Sequence, residues 1–483
     1  MTTIRIDNAF LVTMNAERQC ASGLSVLIQD DRIIAIEPTE TLAGQPVDEV
    51  IDGTGMALLP GLIDAHAHAG HSLVKSLGGA DNNVWYDACE RAYLNGSDVE
   101  FWRADAALHS LERLKAGVTT GVTLMGGGNA LMRTDRIDYA NGHIDAVLAT
   151  GTREVLAVGP TLPPHPRHYR QWPEGSDLAV GFQQQMDVTN AIHERWQGAG
   201  NDRMQIAYLY PTIRPEHLKA GKPELVEAMI EQTRIVHGAA RERNALFTQD
   251  GHEGSTVAFA HEHLGTLGPN SLFSHAVELT GAEIELLAAS DTRIAHNPSA
   301  IASIFGRCPV TELRSAGVTV ALGSDGTAPD RSSDMLHHAV RFLHYHRRHF
   351  RDPSVLHAGT ALAMVTIDAA RALGLDKDIG SIEVGKKADL ILIDLRKPHL
   401  YPPNMPLFRI VYFANGADID TVIVDGKVLM RGRVVESVAE GKVLDDAAAA
   451  TTLMLERTGM TEIAAEDYGF WPDSLTNTSA KGN

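Results

Sequence analysis

Cysteine is scarce in this chain, and the few cysteines are far apart. Its 483 residues include only three, Cys20, Cys89 and Cys308, with no CxxC spacing. An odd number of widely separated thiols argues against a disulfide framework and against a zinc ribbon. The fold must therefore depend on a hydrophobic core, and a chain of this length can bury most of its apolar surface.

Long apolar runs and an excess of positive charge are also lacking. No window approaches the ~20 apolar residues of a membrane-spanning helix, and the start, MTTIRIDNAF, has no signal-peptide pattern. Lys and Arg number 42 against 61 Asp and Glu, a formal net charge of −19. That balance disfavours nucleic acid and anionic membranes as partners. We therefore expect a cytoplasmic protein that acts on a small molecule.

Two strand-rich segments flank a middle of different character. Short apolar runs separated by polar turns occupy 4–12, 24–29 and 32–36, and the same texture returns at 388–395 and 420–435. Asp425-Gly426 is typical of a hairpin turn. The pattern predicts a small β-sandwich domain formed by both termini, residues 1–58 plus 376–440. The alternative is two unrelated hairpins. Residues 441–483 are predicted to form a helical tail with a polar, frayed end.

The middle, 59–375, alternates short strands with amphipathic helices such as 222–242 and 281–290. Eight strand candidates are found: ALLPGLIDAH (57–66), TTGVTLMG (119–126), DAVLATGT (145–152), MQIAYLYP (204–211), ALFTQDG (245–251), SLFSHAV (271–277), TRIAHNP (292–298) and VTVALGSDG (318–326). The repeat predicts an α/β fold, a (β/α)8 TIM barrel. A doubly wound sheet is the alternative, but no GxGxxG follows any strand.

Polar, metal-friendly residues recur where these strands end. A barrel places its active site at the carboxyl-terminal ends of its strands, and these ends carry His66 and His68, Gln249, His275, His296 and Asp325. On a strand, residues i and i+2 point to the same side, so His66 and His68 can share one cation. Imidazole suits zinc, iron, cobalt and nickel.

Several motifs in this order resemble the amidohydrolase superfamily. They are LLPGLIDAHAHAG, SLFSHAVEL, IAHNPSA, VALGSDGTA and the later GSIEVGKKADLILIDL. The closest resemblance is to the branch of cytosine- and guanine-type deaminases and triazine hydrolases, and it covers residues 4 to 435. It implies one divalent transition-metal ion per chain, zinc first, with cobalt, iron or manganese as alternatives. We also expect a homodimer or homotetramer.

The resemblance implies a role for each matched residue. His66, His68 and Asp325 hold the ion, and an activated water completes the site as metal-bound hydroxide. Asp325 takes the proton, and His275 hydrogen-bonds the hydroxide or polarises the substrate. Taken alone, His275 is also compatible with a core histidine and Asp325 with a helix N-cap.

One strand departs from the family pattern, which is Thr-His-x-x-Glu with the His as ligand and the Glu as proton shuttle. Aligned on Thr248, the ligand position holds Gln249 and the Glu position holds His252. In one hypothesis His252 is the third ligand and Gln249 contacts substrate or water. In the other, Gln249 is a weak oxygen ligand and His252 is the acid/base. We favour the first, because imidazole is the better ligand for borderline metals. A dead site is a third interpretation.

This apparent loss of the Glu shapes the functional prediction. We expect a metal-dependent hydrolase that cleaves a non-peptide C–N bond in a urea, carbamate or thiocarbamate, amide or N-substituted heterocycle, resembling the atypical phenylurea and thiocarbamate hydrolases. The alternative is a conventional deaminase of a purine, pyrimidine or triazine, since a histidine can still protonate a leaving amine. A catalytically inactive ligand-binding barrel is a more distant alternative.

Loops after the strands are expected to line the substrate pocket. We assign His71, Trp85, Gln249 and His296 to it, although Trp85 fits ordinary packing equally well. The segment 163–175, PPHPRHYRQWPEG, predicts a lid or an oligomer contact. The histidines at 337, 338, 344, 346 and 349 share no spacing with a carboxylate or Cys, and we interpret them as solvated surface.

Overall fold

The computed structural model of the chain describes residues 1–79, 81–126, 133–220, 222–300 and 304–465. Strands are numbered along the chain, and helices are given by their bounds. No helix within the described ranges combines the length and apolar character needed to cross a bilayer.

A parallel eight-stranded sheet forms the centre of the molecule. Its strands, in spatial order, are β8 (Leu62–Asp64), β9 (Val118–Leu124), β10 (Arg153–Val158), β13 (Met204–Leu209), β14 (Phe247–Gln249), β15 (Ser271–Ser274), β16 (Arg293–His296) and β17 (Val320–Leu322). Backbone bonds join the first strand end to the last: Ala65 N donates to Leu322 O at 3.0 Å and Asp325 N to His66 O at 2.9 Å. The sheet is therefore a nearly closed barrel, and the predicted (β/α)8 fold is confirmed.

Helices follow the barrel strands and cover them. They are Asn82–Arg91, Val99–Lys115, Ile137–Thr150, Phe182–Trp196, Pro215–Ala220, Pro223–Glu242, Thr256–Phe259, Gly281–Ser290, Val310–Ser315, Met335–Phe350, Ala358–Met364 and Ile367–Leu373. Outside the barrel lie Thr39–Leu42, Pro406–Phe413 and Glu440–Thr458.

Two of the predicted barrel strands need correction. DAVLATGT is not a strand: it is the last part of helix Ile137–Thr150, which ends at Gly151 in the left-handed region with φ 95°. The third barrel strand is Arg153–Val158, directly after that glycine. The first candidate, 57–66, is two strands, since β7 (Met56–Pro60) pairs in another sheet and only β8 enters the barrel. Apolar runs this short carry too little periodicity to separate helix from strand.

The barrel strands are apolar on both faces. Ala207, Leu209, Leu272, Ala295 and Ala321 belong to one buried cluster. Their strand neighbours belong to another cluster that includes the covering helices: Tyr208, Tyr210, Phe273, Ile294 and Val320. Because side chains alternate along a strand, the first cluster fills the barrel and the second seals its outside.

Both ends of the chain contribute to the remaining large sheets. A four-stranded sheet has the order β5 (Arg32–Pro38), β4 (Leu24–Gln29), β1 (Thr3–Asp7) and β6 (Glu49–Asp52). A seven-stranded sheet has the order β21 (Val434–Val435), β20 (Lys427–Arg431), β19 (Ile419–Val424), β18 (Leu390–Asp394), β7, β2 (Phe10–Val12) and β3 (Cys20–Ala21). One buried cluster takes side chains from both sheets, among them Ile6, Val26, Leu58 and Leu392. The domain boundaries stay a prediction.

The segment predicted as a lid or contact loop forms a small hairpin, β11 (Arg167–Gln171) and β12 (Ser176–Val180). Trp172 Nε1 donates to Asn95 O at 2.7 Å, and the Arg457 guanidinium stacks over the Trp172 ring at 4.6 Å. Arg457 belongs to the C-terminal helix Glu440–Thr458, so the hairpin, the first barrel loop and this helix pack together. The predicted frayed end, 474–483, lies outside the described residues.

Candidate active site

Five titratable side chains meet at the carboxyl-terminal end of the barrel. His66 and His68 follow β8, Asp250 follows β14, His275 follows β15, and Asp325 follows β17. The three histidines and Asp325 are buried, and the Asp250 side chain is 17% exposed. We call these five residues the strand-end cluster. A closed parallel barrel brings them together because all its strands end on the same face.

Each imidazole of the cluster faces both carboxylates. His66 Nε2 lies 3.2 Å from Asp250 Oδ1 and 3.4 Å from Asp325 Oδ1. His68 Nε2 lies 3.5 Å from Asp250 Oδ2 and 3.2 Å from Asp325 Oδ1. His275 Nε2 lies 3.2 Å from Asp250 Oδ1 and 3.6 Å from Asp325 Oδ1. The three Nε2 atoms and the two carboxylates therefore surround one small volume.

This spacing fits a metal ion. Ligand atoms about 2.0–2.2 Å from a transition metal are about 3.0–3.6 Å from each other in common polyhedra. Two groups of candidate ligands, His66 with His68 and Asp325, and His66 with Asp250 and His275, each lie within 4.8 Å. The buried His66 Nε2 has no well-aligned hydrogen bond to any described residue. A nitrogen directed at an ion has this environment.

The electrostatics of the cluster also favour a cation. Burial by itself would lower the pKa of His66, but the carboxylates of Asp250 and Asp325 raise it to about 10. Although burial opposes ionisation, His66 holds the pKa of Asp250 well below its ordinary range. Burial likewise opposes ionisation of Asp325, but Arg331, whose Nη2 lies 3.3 Å from Asp325 Oδ2, holds the pKa of that carboxyl well below its ordinary range. Two ionised carboxylates thus attract positive charge to one point.

His252, the favoured third ligand in the sequence analysis, lies outside the cluster. Its Nδ1 is 3.0 Å from Thr256 Oγ1, and its ring stacks on Phe273 with centroids 3.9 Å apart. Phe273 belongs to the layer between barrel and helices, so the His252 ring faces away from the barrel axis. Neither group of candidate ligands contains it. The structure therefore gives the His252 ligand hypothesis no geometric support.

Gln249 likewise does not face the cluster. It is fully buried at the end of β14, and its Nε2 donates to Pro211 O at 3.4 Å. Side chains alternate along a strand, so the next residue, Asp250, is the one whose carboxylate reaches the three imidazoles. Aligned on the strand end, the ligand position falls on Asp250, one residue after Gln249. Its assignment to the substrate pocket remains a prediction.

Sequence reasoning missed Asp250, although two signals pointed to it. Asp250 is the first charged residue after the strand core, where barrel ligands are expected. Asp250 and Glu253 also have the spacing of the family's His-x-x-Glu pair, with Asp in the place of His. The alignment on Thr248 concealed both, because it tied the register to a threonine instead of the strand end.

Other residues position the ligands, and the sequence analysis missed them too. Ser274 Oγ donates to Asp250 Oδ1 at 2.5 Å. Asp64 accepts hydrogen bonds from Ser324 N and Ser324 Oγ, both at 2.8 Å, and thereby ties β8 to the residue before Asp325. Such outer contacts orient metal ligands. No sequence motif identifies these positioning residues, because their partners are distant in sequence.

The first barrel loop places two predicted pocket residues beside the cluster. The His71 ring stacks on His68 with centroids 4.8 Å apart, and Trp85 meets the His71 edge at 5.4 Å. Both side chains are buried, and burial holds the pKa of His71 well below its ordinary value. His71 therefore packs against His68, and Trp85 packs against His71. Tyr86, the residue after Trp85, is 46% exposed. Their contact with substrate stays a prediction.

His296 lines a small cavity of about 70 Å³ together with His275 and Asn297. Its Nε2 lies 3.4 Å from His346 Nε2 on helix Met335–Phe350. The histidines of that helix are not all solvated, contrary to our interpretation: His338 and His346 are fully buried. Buried histidines at those positions pack the helix against the barrel, which the sequence pattern alone did not reveal.

Barrel and cluster together define a class of protein. A (β/α)8 barrel with a His-x-His pair after its first strand and an aspartate after its last has the architecture of a metal-dependent hydrolase. A sequence profile of the Amidohydrolase family matches residues 57–429, which is most of the chain. The chain belongs to the amidohydrolase family.

Curated relatives narrow the class. The chain is 33% identical over 435 residues to the 5-methylthioadenosine/S-adenosylhomocysteine deaminase of Moorella thermoacetica, covering 85% of this chain and 90% of that protein. It is 30% identical over 466 residues to the 5'-deoxyadenosine deaminase of Methanothermobacter thermautotrophicus, covering 92% and 99%. The chain is thus a hydrolase of carbon–nitrogen bonds other than peptide bonds. These names favour the deaminase alternative over the broader C–N hydrolase prediction, and give no support to the phenylurea and thiocarbamate subset.

Solved structures agree on the fold. An adenosine deaminase from Xanthomonas campestris with bound zinc has a TM-score of 0.79 at 21% identity, covering 94% of this chain and 99% of that one. The atrazine chlorohydrolase of Arthrobacter aurescens TC1, complexed with zinc, has a TM-score of 0.75 at 22% identity, covering 93% and 100%. At such identities the likeness concerns the fold alone. Compartment and oligomeric state stay predictions.

Proposed function

We propose that this chain is a hydrolytic deaminase of an adenine nucleoside: water adds to the amino-bearing ring carbon, and ammonia leaves. The chain's similarity to proteins named for deamination of methylthioadenosine, S-adenosylhomocysteine and 5'-deoxyadenosine supports this choice. It corresponds to the alternative of the sequence analysis, which was held back only by the apparent loss of the acid/base Glu.

The observation that carries the proposal is the position of Asp250 in the strand-end cluster. Asp250 follows β14, the fifth strand of the barrel. If Asp250 is the ligand there, the segment Asp250-Gly251-His252-Glu253 has the ligand-x-x-Glu spacing of the family. That spacing supports Glu253 as the carboxyl group that a deaminase needs. It must protonate the ring nitrogen during attack and then pass a proton to the departing amine.

The surroundings of Glu253 suit that task. Its backbone forms a bridge with Val277, two residues beyond His275, so the two loops run side by side. Its backbone N–H is bonded to Thr256 Oγ1 at 3.0 Å, which fixes the turn. Its carboxylate has no hydrogen bond or ion pair within the described part of the chain, and the residue is partly exposed. A carboxylate without such a partner is suited to exchange protons with a substrate.

The ion would be held by His66, His68, Asp250 and Asp325, with His275 adjacent. When bound, a divalent transition metal lowers the pKa of a coordinated water and so supplies the nucleophile near neutral pH. Asp325 is suited to take a proton from the attacking water, because its carboxylate lies within the cluster, 3.2 Å from His68 Nε2. His275 is 3.2 Å from Asp250 Oδ1 and is suited to orient that water.

A substrate panel tests the function. We expect the metal-replete protein to release ammonia from adenosine, 5'-deoxyadenosine, methylthioadenosine or S-adenosylhomocysteine, with the absorbance change from an adenine to a hypoxanthine ring. Urea, phenylurea, carbamate and chlorotriazine substrates should give at least 100-fold lower kcat/KM. Asp325→Asn serves as the inactive control. The proposal would be overturned if the protein hydrolysed the ureas or carbamates and deaminated none of the adenine nucleosides.

A further inference from the structure

We propose that Asp250 shifts the relative metal affinity of the strand-end cluster from Zn²⁺ toward Mn²⁺ and Fe²⁺. The inference rests on the proposed function only in requiring a metal at the cluster. It concerns what the substitution of a carboxylate for an imidazole does to the choice of ion.

Asp250 lies close to all three imidazoles of the cluster. Its carboxylate oxygens are 3.2 Å from His66 Nε2, 3.5 Å from His68 Nε2 and 3.2 Å from His275 Nε2. The two groups of candidate ligands share His66, and each contains one carboxylate. Asp250 therefore adds a second carboxylate to the site, and carboxylate donors suit Mn²⁺ and related ions.

Asp250 also changes the chemistry of the donor at this position. The family pattern has a neutral imidazole at the strand-five position, and this chain has the carboxylate of Asp250. Carboxylate oxygen is a harder and anionic donor, and imidazole suits borderline ions such as Zn²⁺. Affinities for divalent ions follow a general order that places Zn²⁺ above Mn²⁺ and Fe²⁺. We therefore expect Asp250 to reduce the difference in affinity between Zn²⁺ and the other two ions, without reversing the order.

The fold holds this carboxylate in place. Ser274 Oγ accepts a hydrogen bond from Gly251 N at 3.0 Å and donates one to Asp250 Oδ1 at 2.5 Å. That fixes Oδ1 between His66 and His275, each 3.2 Å away. Oδ2 then faces His68 at 3.5 Å. A hydroxyl that orients a carboxylate in this way is typical of built metal sites.

The test compares wild type with Asp250→His, which restores the family's donor. Metal-free protein is titrated with Zn²⁺ and with Mn²⁺ against a chelating indicator, and the ratio of the two dissociation constants is compared. We expect the Zn²⁺ preference of Asp250→His to exceed that of wild type by at least tenfold.

Ser274→Ala keeps the test informative if Asp250→His does not fold. Without its hydroxyl, Asp250 is less well oriented, so the Zn²⁺ preference should rise by a smaller factor. Ser290→Ala, which loses bonds to two helix carbonyls and to Thr292 Oγ1 away from the cluster, is the control and should leave the ratio unchanged. Equal ratios in wild type and Asp250→His would overturn the inference. Ammonia release from adenine nucleosides by protein loaded with any ion reports separately on the proposed function.

Discussion

Gly323 lies directly against His66. A Cβ atom at position 323 would be 2.8 Å from His66 Cβ and 2.9 Å from His66 N, and 2.3 Å from Asn297 Oδ1. Gly323 follows β17, and His66 follows β8, so this contact is where the first and last barrel strands meet. The close approach leaves no room for any side chain beside a candidate metal ligand.

Gly323→Ala should therefore displace His66 and weaken metal binding. Backbone and Cβ atoms cannot move aside as the end of a flexible side chain can, so the barrel must open slightly at this seam. We expect metal affinity to fall at least tenfold, measured by elemental analysis after dialysis against a chelator. The control is Gly359→Ala, where a Cβ meets nothing within 4 Å. Full metal retention in Gly323→Ala would contradict the placement of His66.

Asp250 and His252 can be separated by metal content. Asp250→Asn removes the anionic charge from the cluster and should lower the bound metal to a small fraction of one ion per chain. His252→Asn should keep its metal, because that ring contacts Thr256 and Phe273 instead. Elemental analysis of both variants beside wild type decides between them. Metal lost in the His252 variant and kept in the Asp250 variant would restore the original ligand hypothesis.

Glu253→Gln should reduce kcat for the adenine nucleoside by about 10²–10⁴, the usual contribution of a general acid/base. Metal content should not change, since Glu253 is in neither group of candidate ligands. Glu262→Gln is the control: its side chain is 66% exposed. Steady-state rates of ammonia release provide the measurement. A Glu253 variant with wild-type kcat would remove the proton-shuttle assignment.

His346 should make the fold sensitive to acid. Burial lowers its pKa to about 4, whereas an unfolded histidine titrates near 6.5. Below pH 6.5 the unfolded state binds a proton that folded His346 does not, so stability falls with pH. Between pH 7 and pH 5, wild type should lose about 2 kcal/mol more free energy of unfolding than His346→Phe. Denaturant unfolding at both pH values, with equal metal loading, measures this; parallel losses would contradict it.

Much of the fold was predictable because it depends on local pattern. Apolar strands at regular spacing, separated by amphipathic helices such as Pro223–Glu242, indicated a barrel. The strand DAVLATGT was wrong because an apolar run of eight residues fits the end of a helix equally well, and only the left-handed Gly151 marks the boundary. Long, periodic segments were therefore the dependable part of the prediction.

The site was predictable only in part. His66 and His68 share a strand end, so their common direction follows from the period of a strand. Asp250 competes with Gln249 and His252 within four residues, and spacing alone does not say which of them faces the axis. Register decides it, because a shift of one residue turns a strand side chain to the opposite face.

The sequence by itself determined the barrel, the family and the residues that carry its motifs, since each is a local or periodic property of the chain. Only the tertiary structure decided that Asp250 joins the cluster, that Ser274 and Arg331 hold the two carboxylates, and that His252 packs on Phe273. The physical reason is that these relations cross between strands. Their geometry depends on the register and closure of the whole sheet, which no local stretch of sequence encodes.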